Sequence, residues 1–457
     1  MKKLIFYAGL IVGSMVSGPG FAQAASTATN SPAWISRPLS LADCLNIALQ
    51  QNATILKAKN DLEASHGVVV QTRAVALPQL TAAGQYEDKD PHAIETFPSA
   101  NPSPHKNWNT GIQLVQAIYE GGRLVAAIRA ADATKQQALA QFQTVVADTL
   151  LVTRIAYYDV LLAAQQITVH EASVTLLQKE LEDQQHRYDA GTVPKFNLLR
   201  AEVAVANERP NLIRARNDYR IAKNNLSNLL GYNLPREIWE DVPLNLTDAL
   251  DAVPYEVNLP EAIQQALAKR TELVALRKTV ELQKLGIVNA KSGYKPTLQI
   301  FAGYTWNNAQ FTTPVDPGHD IDGWNVGAEL NWDIFDGMLT HGKVIQARAL
   351  YEKSKTDLID QSRQIEIEVR TDYSSFIEAR EVLESQKTVQ AEAEEALSEA
   401  RARTDAGTGT QLDVLDAETS LTQARTTQVQ ALHDYTVARA RLERAIGEDM
   451  VRTAATK

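Results

Sequence analysis

Two halves of this 457-residue chain repeat one another, and no other feature constrains the fold as tightly. Aligned at an offset of about 216–218 residues, they match in order along nearly their whole length. Leu41, Ala48, Leu49 and Ile55 meet Leu259, Ala266, Leu267 and Leu273; Pro78, Leu80 and Tyr86 meet Pro296, Leu298 and Tyr304. Trp108, Asn109 and Gly111 meet Trp324, Asn325 and Gly327, and Tyr119-Glu120-Gly121 meets Phe335-Asp336-Gly337. Further on, Asp189-Ala190-Gly191-Thr192 meets Asp405-Ala406-Gly407-Thr408, and Gly231 meets Gly447. A tandem duplication follows: one repeat over residues 25–231, a linker over 232–257, a second repeat over 258–447, and a short tail over 448–457. Each half has the same order of elements: a helix, two strands around a polar loop, a very long helix, a tight turn and a long return helix.

Proline and glycine mark the helices. No proline stands between Pro104 and Pro194 or after Pro317. Residues 123–188 hold no glycine, and residues 339–404 hold only Gly342. Residues of high helix propensity fill both stretches. As single helices each would reach about 100 Å at 1.5 Å per residue. No globular core covers that length, so such helices must pack side by side as coiled-coil pairs, with alanine permitting close approach.

The strands show a period of two. Trp324, Val326, Ala328, Leu330, Trp332 and Ile334 share one face, and Asn325, Gly327, Glu329, Asn331 and Asp333 the other. The first-half copy sets Trp108, Thr110, Ile112, Leu114 and Ile118 against Asn109, Gly111 and Gln113. Leu298, Ile300, Ala302, Tyr304 and Trp306 form a third apolar face, and Leu80, Ala82, Gly84 and Tyr86 a weaker fourth. The expected strands lie at about 78–88, 108–118, 296–306 and 324–335. Tyr86, Trp108, Tyr304, Trp306, Trp324 and Trp332 stand near strand ends, where the interface of a bilayer would place aromatic rings. A strand of about ten residues crosses a membrane when tilted. Four strands cannot close a barrel, because the smallest membrane barrels have about eight. Open edges must therefore pair with further copies of the chain. Three copies would supply about 12 strands, an even number, although the sequence does not by itself set the count at three.

Composition narrows the function. The net charge of -10 argues against a nucleic-acid partner, because phosphate binding needs clustered Lys and Arg. Lys2 and Lys3, the apolar run over residues 4–16 and Ala22-Gln23-Ala24 read as a secretory signal peptide, residues 1–24. That run is too short for a comfortable membrane anchor. Past it, no stretch is apolar enough for a membrane helix, so entry into a membrane would be by strands. Cys44, the single cysteine, forms no internal disulfide and reads as a small buried residue on a helix. His319, Asp320 and Asp322 lie in an expected polar loop. They read as solvated rather than metal-binding, since no further ligands follow at useful spacing. The eight His are scattered, and neither a phosphate loop nor a nucleophile elbow is present, so no catalytic, cofactor or metal site is assigned.

On the duplicated plan, on Ile118-Tyr119-Glu120-Gly121-Gly122 with its copy Ile334-Phe335-Asp336-Gly337, and on the tip segments 190–199 and 406–416, the chain resembles the TolC-like outer membrane factor family. The resemblance covers essentially all of the chain after the signal. It implies a mainly α fold with a transmembrane β part: a long-helix coiled-coil α-barrel crossing the periplasm, and four strands per protomer of a trimeric 12-stranded barrel in the outer membrane. It also implies a passive exit duct of a tripartite efflux or type I secretion system. Its partners would be outer membrane lipid, a periplasmic membrane-fusion adaptor and an inner membrane transporter of RND or ABC type. The competing reading is a periplasmic coiled-coil adaptor or scaffold without a pore, which would not need four alternating strands.

The turns at about 189–197 and 405–413 carry the site candidates. Gly191 and Gly407 can take the positive φ of a helix reversal, and Thr192 and Thr408 stand where they could start the return helix. With Gly409 these are the adaptor-docking candidates. Asp413 and Asp416, three apart at a helix start, share a face. In a trimer they would make two stacked acidic rings at the periplasmic entrance, a place where the resemblance puts such aspartates. The plainer role for them is to meet the helix dipole. Their first-half equivalents, Asn197 and Arg200, are not acidic, so the two tips have diverged in charge. Where the family can lock its entrance with Tyr, Arg and Asp links, this chain has Thr404, Gly409 and Asn197. Closure would then rest on packing and other polar contacts.

Overall fold

The structure, a computed structural model, describes residues 34, 37–90, 92, 106–234, 241–308 and 320–448. The expected signal peptide, His319 and all but the first residue of the tail lie outside them. The long stretches are single helices. Helix α3 spans Arg123–Asp189 and α7 spans Leu339–Asp405, 67 residues each. The return helices are α4, Lys195–Leu229, and α8, Gln411–Ile446. The first helix of each half is broken in two, which the sequence reading had not separated. The pieces are α1, Leu41–Gln51, and α2, Ala53–Ala74, in the first half, with α5, Leu259–Lys269, and α6, Thr271–Ser292, in the second.

Strands β2 (Gln79–Asp88), β3 (Lys106–Glu120), β5 (Thr297–Asn308) and β6 (Asp320–Asn331) form one antiparallel sheet in the order β2-β3-β5-β6. The helices leaving the sheet keep that order, since α2 packs on α3, α3 on α6 and α6 on α7. Farther from the sheet, α4 takes the place of α2 beside α3, and α8 lies between α3 and α7. The long helices are thus flanked along their length by short helices placed end to end. Ala126, Ala131, Ala133, Ala138 and Ala140 are buried along α3 and let its upper neighbours approach closely.

The handover between upper and lower partners uses the same device twice. Asn52 ends α1, caps α2, and donates from Nδ2 to the Leu229 carbonyl at 2.8 Å. Its repeat equivalent, Arg270, stands between α5 and α6 and donates to the Ala445 carbonyl at 3.3 Å. The return helices end beside these breaks at Gly231 (φ +77°) and Gly447 (φ +83°). A Cβ on Gly231 would sit 2.7 Å from the Gln51 carbonyl oxygen, so both the turn and the close approach require glycine.

Two apolar cores lie at this level. One surrounds Tyr157, with Leu39, Leu45, Leu226 and Leu244; the other surrounds Phe376, with Ile365, Val369 and Leu442. The inter-repeat linker contributes to the first. Its strand β4, Asn245–Leu246, pairs in parallel with β1, Pro38–Leu39, and Asp248 accepts the Tyr157 hydroxyl at 3.0 Å. Cys44 is wholly buried in the same core, and burial pushes its thiol up to about 12.

Charges are buried between the cores. Fully buried Glu443 accepts from Arg154 and from Arg439, the latter at 2.7 Å. Arg444 donates to Asp148 at 2.5 Å and to Glu272 at 2.6 Å, and Arg270 donates to Glu272 at 2.8 Å and to Glu368 at 2.9 Å. These contacts tie α3, α6, α7 and α8 together. Burial alone would raise the Glu272 carboxyl, but hydrogen bonds from Arg270 and Arg444 outweigh it and hold it at about 2.

Replacing Glu443 by alanine leaves the buried Arg154 guanidinium without its carboxylate and the part-buried Arg439 with the Val253 carbonyl, so we expect a loss of about 3–5 kcal/mol in chemical unfolding. Glu366→Ala, which removes the exposed Arg370 pair, should cost under about 1 kcal/mol. Equal effects would show that the buried network carries no stability. The Glu272 carboxylate stabilises fully above its unfolded value of about 4.3. That contribution is lost as pH falls through about 2. The melting-temperature gap between wild type and Glu272→Gln should therefore be constant near neutrality and shrink from about pH 5 downward.

Candidate functional site

The strand register places all four expected apolar faces on the same side of the sheet. Tyr86 pairs with Trp108, Ile112 with Ala82 and Tyr304, and Tyr304 with Trp324, which continues the face across every strand. On the lone chain this side is bare: Trp324 is 77% exposed, Val326 69% and Leu80 69%. An apolar face of that extent needs an apolar neighbour. Tyr86, Trp108, Tyr304, Trp306 and Trp324 cluster toward the loop end of the sheet, where the Tyr304 and Trp306 ring centres lie 4.4 Å apart with the planes tilted by 51°.

Three strand details differ from expectation. Trp332 is not in a strand: β6 ends at Asn331, opposite Thr297, because Pro296 has no N–H with which to extend the ladder. The Trp332 indole instead donates to the Tyr294 carbonyl at 3.2 Å, at the helix-proximal end. Ile118 is the extra residue of a β-bulge, and Tyr119 pairs with Leu298 in its stead. Asp320 and Asp322 belong to β6 rather than to a loop, since the ladder with β5 runs on to Asn308. Asp322 accepts the Tyr304 hydroxyl. Among the described residues, no grouping of His, Cys, Asp and Glu could hold a metal ion.

The opposite face is wet and concave, enclosing about 620 Å³. Thr81, Gln85, Asn109, Gln113, Asn307 and Asn325 line it. A charged cross-strand contact on this face is Gln299 donating to Glu329 at 2.8 Å. The same alternation puts Val115 and Phe301 on this face, a placement that reading only the apolar sides had passed over.

At the far end of the helices the two tips lie side by side. Gly191 (φ +72°) and Gly407 (φ +75°) make the left-handed turns expected of them. Thr192 and Thr408 act differently from expectation. Their amides and hydroxyls donate to the carbonyls of Arg187 and Arg403, closing the outgoing helices. The return helices begin two residues later, capped at Pro194 and Thr410, because the left-handed turn must finish first. Gly409 donates from its amide to the Arg403 carbonyl, and a Cβ there would stand 3.0 Å from the Thr404 amide. The tips are clasped twice: Arg187 pairs with Asp405 at 3.3 Å, and Gln411 donates to the Asn197 carbonyl at 3.1 Å. Phe196 and its equivalent Leu412 are 67% and 39% exposed, two apolar residues held outward at the return-helix starts.

Asp413 and Asp416 are both exposed but not equivalent. Asp413 closes a capping box with Thr410: its carboxylate accepts the Thr410 amide at 2.9 Å, and its amide donates to the Thr410 hydroxyl. The Thr410 amide, and after it the Thr410 hydroxyl, donate to the carboxylate and lower its pKa. Asp416, one turn on, makes no hydrogen bond or ion pair among the described residues. Arg200 lies over the Phe196 ring, 6.0 Å from its centre, and pairs with no acid among the described residues.

A four-stranded sheet with one wet and one bare apolar face, continued by helices of about 100 Å, defines a membrane-anchored duct. The chain belongs to the outer membrane efflux protein family, whose model matches residues 44–232 and 262–448, one match to each half. It is a TolC-like outer membrane efflux channel, mainly helical, with duplicated domains. It is 24% identical over 439 residues to outer membrane protein TolC of Vibrio cholerae, covering 94% of each chain. To the cobalt-zinc-cadmium resistance protein CzcC of Cupriavidus metallidurans it is 24% identical, over 98% of this chain and 100% of that one. Its fold matches the crystal structure of the outer membrane protein VceC from Vibrio cholerae with a TM-score of 0.73, at 19% identity, over 89% of this chain and 96% of that one.

Thr410→Ala should open the capping box at a cost of about 1 kcal/mol. Amide exchange at residues 410–416 should quicken, while exchange in the body of α8 stays unchanged. Uniform quickening along α8 would mean that the cap holds more than its own turn.

Proposed function

We propose that three copies of this chain close a 12-stranded barrel in the outer membrane and a helical duct in the periplasm. One observation carries this: both edges of the sheet, β2 and β6, lack a partner strand among the described residues. Four alternating strands leave these edges running in opposite directions, so β6 of one copy meets β2 of the next in antiparallel fashion. Two copies would give about eight strands, whose interior side chains would fill. A third copy opens a bore while keeping the number even. The apolar face then meets lipid and the wet face lines the duct. A scaffold or adaptor without a pore would leave the bare face of the sheet without a role.

In this reading the tips point into the periplasm and dock to a membrane-fusion adaptor and an inner membrane transporter of RND or ABC type. Exposed Phe196 and Leu412 would serve as apolar anchors beside Gly191, Thr192, Gly407, Thr408 and Gly409. The duct is passive, and energy comes from the transporter. Three copies of Asp416, with Asp413 a turn away, ring the entrance and favour cations. The clasp of Asn197 on Gln411 and the tight turn of Gly409 on Thr404 support closure by packing within protomers.

Single-channel recording of the purified protein in a planar bilayer with asymmetric salt tests this. A steady, cation-selective conductance is expected. Asp416→Asn should shift the reversal potential toward non-selectivity without lowering thermal stability, because Asp416 supports no local bond. An unchanged reversal potential would remove Asp416 from the entrance. No conductance from a correctly assembled trimer would mean a tightly closed entrance, and no outer membrane assembly at all would favour the scaffold.

A further inference from the structure

The wet face of the sheet is not uniformly polar. Cross-strand rows step along it from the loop end toward the helices. One reads Thr81, Gln113, Gly303 and Asn325; the next reads Gln79, Val115, Phe301 and Gly327; the one after holds Gln299 and Glu329. Val115 and Phe301 are direct partners on adjacent strands, both only partly covered. They make an apolar step one residue high, between a row of amides and the Gln299–Glu329 hydrogen bond of 2.8 Å. Gly327 settles how the ring lies. A Cβ at that position would stand 2.6 Å from Cζ of Phe301 and about as close to both flanking ring carbons, at 3.1 and 3.2 Å. The ring therefore rests flat on the β6 backbone and presents its other face to the space in front of the sheet. Cross-strand packing of this kind also shields a glycine in an edge strand, and the Val115–Phe301 pair adds the stability of an aromatic ring beside a β-branched side chain, yet on a wet wall both leave an apolar surface facing the water.

We infer that Val115 and Phe301 form a specificity-determining collar in the duct, an apolar ledge that engages the aromatic or aliphatic part of amphiphilic solutes as they pass. The inference rests on the proposal that this face lines the bore. With three copies the collar repeats around the axis, three flat rings alternating with three valines. An amide wall hydrogen-bonds polar groups equally well at every level, whereas a ring face adds contact for apolar, aromatic and weakly hydrated cationic groups. Flat rings give that contact without narrowing the bore as upright ones would.

The test uses a cysteine at the collar in the full-length protein. Cys44 is wholly buried, so a water-soluble methanethiosulfonate reagent reads only the added thiol of Val115→Cys. Labelling should proceed in the membrane-inserted protein. Tetraphenylphosphonium should slow it about threefold or more, the scale of one aromatic contact, while potassium, a hydrated cation of the same charge, should not. Adding Phe301→Ala should abolish the protection, and Phe301→Leu, which keeps an apolar side chain, should retain part of it. Equal effects of the two cations, or protection that survives Phe301→Ala, would overturn the collar. Failure of Val115→Cys to label in protein that has inserted would overturn the luminal placement of this face, a separable result.

Discussion

A helix of 67 residues has to be covered along its whole length, and everything else in this protein follows from how that is done. Isolated helices gain little from propensity alone, and most of their stability comes from lateral packing. Here α3 and α7 each run from the sheet to a tip, while their partners are shorter. Cover passes from α2 to α4 and from α6 to α8 at one level. Such a handover exposes helix ends, whose orphan carbonyls and amides need partners. Asn52, Arg270, Gly231 and Gly447 supply them, and the two apolar cores gather at the same height.

Buried charge collects where the helices change partners. Arg270 does for the second repeat what Asn52 does for the first, but as a cation, and so it draws Glu272 and Glu368 around itself. Glu443, held by Arg154 and Arg439, and Arg444, held by Asp148 and Glu272, complete a lattice that crosses from one repeat to the other. Near the tips the charged links among the described residues are fewer: the exposed Arg187–Asp405 pair, and Arg401 with the buried Glu418 within the second hairpin. The densest buried ion pairing thus lies at the level of the cores rather than at the tips.

Much of this was legible in the residues. The matched halves, the proline-free stretches and the alternation around Trp324 and Trp108 locate every long element, and the register bears out the shared apolar face. What failed did so for local reasons. Trp332 fits the alternation but lacks a partner strand, because Pro296 ends the ladder. Ile118 fits it too, yet a bulge hands its place to Tyr119. Thr192 and Thr408 close the helix before them, since the left-handed turn delays the next one by two residues. Asp413 proved to be a cap and Asp416 free, a distinction that a spacing of three cannot make.

By itself the sequence determined which segments are helix and which are strand, that the plan is used twice, and that one side of the strands is apolar. These properties follow from period, propensity and repetition, all local or self-referential. Only the tertiary structure decided which strand lies beside which, that β3 and β5 join the two repeats into one sheet, and that Phe301 folds onto Gly327 on the wet side. It also decided that Arg154 meets Glu443 from 289 residues away. Such pairings depend on how distant surfaces fit when the chain packs, and no spacing along the chain encodes them.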